Sequence, residues 1–400
     1  MRRVAIVGVG QLPFRSRRPD RIYQSLTLEA VKAALEDARL TKEDIELIIY
    51  SIYGEVMLKQ QIPHTYVHDY LGMEGKPSYS IKAGGASDGY ALFAAYCHVA
   101  SGANDLVMLV GFQKSQDLYS SQTRSRGDGF LKGGAIGFDI TWQMPISPGG
   151  VPALLTVSCL NPHIQRFGGP TPEQIAKVSV KNHRNALVNP NAQLKMDLTV
   201  EDVLNSRIIA SPTTMYECCL YSDCASALIL ASEEKAKQIT DKPVWITGIG
   251  LANWHQPRLE VESLGRMKGL ELAAQRAYKM AGIKNPLKEL DLVELHDFIS
   301  GVEIMAYEEM GFCPIGAGGR LVDEGVVEKG GLLPVNVSGG RVACGHAPGV
   351  SGISSAGDVV LQLQERAGER QVPIKKGRGL VECIDGDATT NSVIILERKS

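Results

Sequence analysis

Apolar and polar positions along this chain spell out the same order of elements twice. Arg3–Gly8 (RVAIVG) is an apolar run closed by glycine, which predicts a strand. After a polar loop, Leu28, Val31, Leu35 and Ala38 recur at helical spacing and predict a helix over Ser25–Leu40. The segment KEDIELIIYSI, ending at Ile52, then reads as a polar turn feeding an apolar strand. Near residue 243 the order returns. PVWITGIG (243–250) is a strand, and Leu270, Ala273, Ala274, Ala277 and Ala281 line one face of a helix. LKELDLVEL (287–295) is the second turn and strand. Each half adds a further strand, SYSIKAGG (78–85) and LPVNVSGG (333–340), that runs into a glycine-rich turn and a helix. The halves close alike, on NDLVMLVG (104–111) and RGLVECIDG (378–386). An offset of about 240–245 residues relates the first three pairs.

Strand–loop–helix alternation of this kind predicts an α/β fold with a largely parallel sheet between helices. Ligand chemistry is then expected at the carboxyl ends of the strands. Residues 113–240 break the repeat. They hold a Gly/Ser-rich stretch (121–150) and the helix PEQIAKVSVKNHRNAL (172–187), long enough together for a cap over the site. The expected organisation is an N-terminal half (1–112), a loop insertion (113–240) that rejoins that half near its end, and a C-terminal half (241–400).

Composition narrows the partners. Of 400 residues, 44% are apolar and 22% charged, and the formal charge is −2, so no field gathers nucleic acid or an anionic membrane. No apolar run reaches the ~20 residues that span a bilayer. The absence of a signal-peptide pattern predicts a cytoplasmic protein with its eight cysteines reduced. Local basic clusters (Arg15, Arg17, Arg18 and Arg21; Arg124 and Arg126) suit solvated loops or contacts to phosphate. Cys218, Cys219 and Cys224 lack paired metal spacing, so no metal is expected. Gly8-x-Gly10 is a fragment of a dinucleotide fingerprint and carries no weight alone.

Four segments carry candidate chemistry. In AGGASDGYALFAAYCHVASG (83–102), a glycine turn opens a helix expected to turn Tyr90, Phe93, Ala94 and Cys97 inward. A helix N-terminus there would steady an oxyanion. Ser87 is the one nucleophilic side chain in that turn. Gly85-x-Ser87-x-Gly89 also fits the nucleophile elbow, with Asp297 and His346 following in hydrolase order. The plainer reading has Ser87 and Asp88 capping the helix. In Glu294-Leu295-His296-Asp297-Phe298, a histidine ends an apolar strand, where it can hold a carbonyl oxygen or a water. In SGGRVACGHAPGVSG (338–352), glycines including Gly345 and Gly349 flank His346, which suggests close backbone approach to a ligand. In VECIDGDATTN (381–391), Cys383 ends a strand, followed by Asp385. Together these loops suit polarising an acyl carbonyl while a proton moves.

The loops resemble those of the thiolase superfamily, along essentially the whole chain. The branch is that of the sterol-carrier-protein-type thiolases and the archaeal acetyl-CoA acetyltransferases. PEQIAKVSVKNHRNALVNPNAQ is similar to the loop domain of that branch, and residues 293–325 to its H-D-x-F segment. VNVSGGRVACGHAPGVSG is similar to its G-H-P loop, with Ala347 between the histidine and Pro348. The resemblance implies a five-layer α-β-α-β-α fold and coenzyme A as substrate or product. It also implies a homodimer and, as a further partner, a small zinc-ribbon/OB-fold protein. His346 matches the histidine that activates the nucleophile, and His296 the residue that binds the thioester carbonyl. Cys383 matches the acid/base cysteine, with Asp385 in place of the usual glycine. Gly85 stands where the family keeps its nucleophilic cysteine.

A glycine cannot carry an acyl group. One reading has Cys383 take over as carrier in thiolase-like acyl transfer on a 3-oxoacyl-CoA. In another, the histidines run aldol-like C–C cleavage on a CoA ester with no covalent step. Related aldolases carry tyrosines where this chain has His296 and His346. A third makes the chain a non-catalytic thiolase-like subunit, and the Ser87 hydrolase is a fourth.

Overall fold

The computed structural model describes residues 2–58, 60–114, 150–255, 263–386 and 388–398. They form two compact units, each built from separate stretches of chain. The first comprises Met1–Ile146, Tyr221–Ile246 and His346–Val360, and the second Ser147–Leu220, Thr247–Gly345 and Leu361–Ser400. The 147–220 part of the expected insertion is thus counted with the second unit. Arg124, Arg126 and the Gly/Ser-rich stretch up to residue 149 lie outside the described residues.

In the first unit, strands β1 (Val4–Gln11), β2 (Leu47–Ser51), β3 (Ser78–Ile81) and β4 (Leu106–Gln113) form one sheet with a strand at Cys224–Ser232, in the order β3-β2-β4-(224–232)-β1. β2 runs parallel to β3 and β4. The strand Cys224–Ser232 runs antiparallel to both β4 and β1, so this sheet is mixed where alternation predicted a largely parallel one. Helix α1 (Tyr23–Ala38) buries Leu26, Ala30, Val31, Ala34 and Ala38, while Leu28 and Leu35 are partly buried at the rim.

The second unit repeats this plan. Its strands Val244–Asn253, Leu292–Glu294, Arg378–Ile384 and Thr390–Glu397 lie in the order 244–253, 390–397, 378–384, 292–294. Arg378–Ile384 is parallel to Leu292–Glu294 and antiparallel to Thr390–Glu397. The helix Lys268–Ala281 buries Leu270, Ala273, Ala274 and Ala277, as the spacing predicted. The expected strand over 333–340 shrinks to one bridge, Val293 to Val335. Asn336 interrupts it with a left-handed backbone (φ 53°) and turns its side-chain oxygen to accept from the Leu295 N–H at 2.7 Å.

The glycine pair Gly8-x-Gly10 has a packing role. A Cβ on Gly10 would lie 2.0 Å from the Ala30 carbonyl oxygen, and one on Gly8 2.6 Å from that of Ala34. In the second unit a Cβ on Gly248 would lie 2.5 Å from the Ala277 carbonyl oxygen, and one on Gly250 1.8 Å from that of Ala273. Glycine on the strand facing alanine on the helix lets each helix sit against its sheet. Both halves use the device.

Candidate active site

In the first unit, the turn after β3 leads into helix α2 (Ser87–Ser101). The Ser87 hydroxyl donates to the Gly84 carbonyl at 2.6 Å and accepts from the Ala83 N–H at 2.8 Å. It is buried and committed to its own turn. Asp88 accepts from its neighbour Gly89 N–H at 2.9 Å and, with its second oxygen, from Gly352 N–H at 2.6 Å. Gly84 is left-handed (φ 60°), whereas Gly85 is not among the positive-φ glycines, so its backbone accepts a side chain. The inward face of α2 is Ala91, Leu92, Ala95, Tyr96 and Val99; of the residues expected inside, Phe93 and Cys97 are exposed and Tyr90 and Ala94 partly buried.

His346 is buried and belongs to the same unit. Its N–H donates to the Ser222 hydroxyl at 3.1 Å, its carbonyl accepts from Ser222 N–H at 2.9 Å, and its ring packs 6.0 Å from that of Tyr221. Nδ1 lies 3.2 Å from the Ser351 hydroxyl, which also contacts the Ala347 carbonyl at 3.1 Å. When that hydroxyl donates to Ala347, Nδ1 carries the proton and Nε2 keeps a lone pair, the tautomer a general base requires. Gly349 (φ 78°) packs against the chain following β2, where a Cβ would meet the Tyr53 nitrogen at 2.9 Å. Gly345 sits at φ 123°, closed to other residues.

The second unit holds His296, Asp297, Cys383 and Asp385. The His296 N–H donates to Glu382 at 2.8 Å, and its ring stacks on Phe298 with centroids 5.4 Å apart. Cys383 is fully buried on its strand, opposite Ser392. Asp385 accepts from the N–H and the hydroxyl of Thr389, both at 2.9 Å, and so holds the turn between the last two strands. Burial raises its carboxyl above the ordinary range against those bonds.

Asp297 does different work from the hydrolase aspartate the elbow reading gave it. It is fully buried; its oxygens accept from the Arg341 N–H at 2.5 Å, the Val342 N–H at 3.4 Å and the Asn182 amide at 2.9 Å. Burial, then the nearby Glu303 charge, pushes its carboxyl up to about 8. Three further buried acids grip the same loops. Glu294 takes the Ser338 N–H at 3.0 Å and its hydroxyl at 2.5 Å, Glu382 takes His296 N–H, and Glu303 takes Asn336 at 2.7 Å. Lys181 and Asn182, from the helix Pro172–Leu187, complete the set at 2.7 Å each from Glu303.

Reading by motif missed these groups. The available signal was the run of acids at 294, 297 and 303 inside an otherwise apolar stretch. The ECCLYSDCAS segment also has a role there, since Cys219 N–H donates to Phe298 at 2.9 Å and Leu220 N–H to Arg341 at 3.2 Å. Burial lifts the Cys219 thiol well above its usual range, which disfavours the thiolate a metal needs. Among the described residues no three His, Cys, Asp or Glu converge as a metal site, and no helix is long and apolar enough to cross a membrane.

Comparison with known proteins is consistent over the whole chain. Residues 250–398 match the family model described as thiolase C-terminal domain-like. An acetyl-CoA acetyltransferase of Methanothermobacter thermautotrophicus is 34% identical, with all of both chains covered. Rabbit (Oryctolagus cuniculus) sterol carrier protein 2 is 30% identical over 93% of this chain and 68% of its own. Among solved structures, an Ltp2-ChsH2(DUF35) aldolase superposes with TM-score 0.81 at 23% identity, over 99% of this chain and 98% of its own. The fold is the α/β thiolase fold. With its full-length relatives, this places the chain in the thiolase superfamily, in the branch of the sterol-carrier-protein-type thiolases and the archaeal acetyl-CoA acetyltransferases.

Proposed function

We propose that this chain makes or cleaves a C–C bond in an acyl-CoA of the 3-oxoacyl type, as a thiolase-like acyltransferase. The observation that carries the reading is the His346 loop, with a buried imidazole whose Nδ1 is held by Ser351. The full-length likeness to an acetyl-CoA acetyltransferase supports the substrate class. Coenzyme A is then a co-substrate or product.

In the cleavage direction, His346 Nε2 takes the Cys383 thiol proton as the sulfur attacks the 3-oxo carbonyl carbon. The C2–C3 bond breaks, its electron pair leaves on C2 as the enolate of a shorter acyl-CoA, and the imidazolium returns the proton to C2. His296 donates to the thioester oxygen on which the enolate charge builds. The thiol of free CoA then attacks the acyl-cysteine, giving the second acyl-CoA and restoring Cys383. The 85–87 turn lies at the start of its helix, with the Ala86 and Ser87 N–H groups donating to Ala83 and Gly84 at 3.2 and 3.3 Å, and Gly85 contributes backbone only. Gly345, Gly349, Asp297 and Asp385 are assigned to substrate binding. We place the protein in the cytoplasm as a homodimer with a small zinc-ribbon/OB-fold partner; the DUF35 component named with the Ltp2 aldolase supports the partner.

That same likeness favours a second reading, aldol-type cleavage of a CoA ester with no acyl-enzyme. Thiolysis of acetoacetyl-CoA by free CoA separates the two, with and without a copurified partner. Acyl transfer predicts turnover by the natural chain and a loss of at least about 10²-fold in Cys383→Ser. Full activity in Cys383→Ser would overturn it.

A further inference from the structure

Helix Pro172–Leu187 is fixed at its start by a capping box, in which Thr171 accepts from Gln174 N–H at 3.3 Å and Gln174 accepts from Thr171 N–H at 3.0 Å. Its middle delivers two polar side chains into a region with no water access: Lys181 is 1% exposed and Asn182 0%. Lys181 donates to Glu303 and to the Val335 carbonyl, both at 2.7 Å. Asn182 spends its two amide protons on two acids, Glu303 at 2.7 Å and Asp297 at 2.9 Å. Glu303 also accepts from Asn336 at 2.7 Å and from the Tyr307 hydroxyl. Asn336 in turn accepts from Leu295 N–H, one residue before His296, and Asp297 accepts from Arg341 and Val342 N–H.

Burying a lysine and two carboxylates is costly, and packed apolar residues of similar volume stabilise as well or better. What the arrangement achieves is directional. Asp297 accepts from the Arg341 and Val342 N–H groups, Glu303 accepts from the Asn336 amide, and Asn336 in turn holds the Leu295 N–H, while Asn182 bridges both acids, so both loops are held from one helix. Gly340, at φ 61°, has room for no Cβ, because one would lie 2.3 Å from Asp297 Oδ2. The geometry therefore points to Asn182, backed by Lys181, as the positioning residue that sets the His296 loop for carbonyl binding. This inference rests on the acyl-CoA reading for its activity arm only.

Asn182→Asp keeps the shape and offers at most one proton to two acids; Asn182→Leu removes both donors. A control variant, Thr199→Ala, removes the hydroxyl that caps Val200–Leu204 in the same unit. In acetoacetyl-CoA thiolysis, positioning predicts kcat reduced about 10–100-fold in Asn182→Asp with KM within about twofold, and an unchanged kcat in the control. Independently of turnover, hydrogen exchange followed by mass spectrometry should show protection lost at 295–298 and 336–342 in either Asn182 variant, with the strand Thr390–Glu397 still protected. Wild-type protection of those two segments in a folded Asn182 variant would overturn the inference, as would a KM rise with kcat intact. No thiolysis by the natural chain, with exchange behaving as expected, would sink the acyl-transfer reading and leave the positioning role standing.

Discussion

The two glycine-rich turns at 83–87 and 336–342 show how one plan is fastened in two ways. In the first unit, the 83–87 turn is closed by a single neutral hydroxyl, that of Ser87, bonded twice within four residues. In the second, the 336–342 turn is gripped by Glu294 and Asp297, and through Asn336 by Glu303. Local closure keeps the turn's bonds within itself, the Ala86 and Ser87 N–H groups donating to Ala83 and Gly84. Closure by Asp297 also ties the turn to the helix Pro172–Leu187, because Asn182 donates to Asp297 at 2.9 Å from 115 residues away in sequence. The two halves share a scaffold, and buried acids fasten the turn of one copy.

The largest effect should come from His346, four residues after the second turn and bonded to Ser222 and Ser351. His346→Ala is expected to lower kcat for thiolysis by about 10²–10⁴-fold, the worth of a general base, with the thermal midpoint little changed. An unaffected kcat would show that the rigid loop serves packing alone. Next comes Gly340→Ala, which combines a left-handed backbone with a Cβ against Asp297. Denaturant unfolding should show a loss of roughly 2–4 kcal/mol, and a neutral result would mean that the Asp297 grip is loose.

The charged closure should also give a pH signature that the hydroxyl closure lacks. Asp297 titrates near 8 in the folded chain, raised by burial and then by Glu303, against about 4 when unfolded. The folded state therefore binds more protons across that window, so this group's contribution is full at low pH and is lost as pH climbs through about 8. Asp297→Asn should flatten that part of the stability profile, by up to about one proton in slope. The smallest effect belongs to Ser87→Ala. Losing its bonds should cost about 1–2 kcal/mol of stability while turnover falls less than about tenfold. Abolished activity would instead revive a serine nucleophile.

Much of the scaffold was legible in the chain because periodicity is a local property. The paired strands and helices, the inward alanines of Lys268–Ala281 and the repeated Gly-x-Gly against alanine all lie within short windows. The antiparallel strand Cys224–Ser232 was hidden in the insertion, where no alternation announced it. The strand over 333–340 failed at Asn336, whose side-chain bond to Leu295 is invisible to a hydropathy pattern. His296, His346 and Cys383 could be picked out by motif and by resemblance. Lys181, Asn182, Glu303 and Arg341 could not, because their meaning comes from partners more than a hundred residues away.

The central claim is that Cys383 carries an acyl group that Gly85 cannot. Intact-mass measurement after brief mixing with acetoacetyl-CoA, without free CoA, tests it directly. The account predicts one acetyl adduct per chain, mapped by peptide digestion to Cys383, discharged on adding CoA and absent in Cys383→Ser. Turnover of the same substrate with no adduct at any point would contradict it.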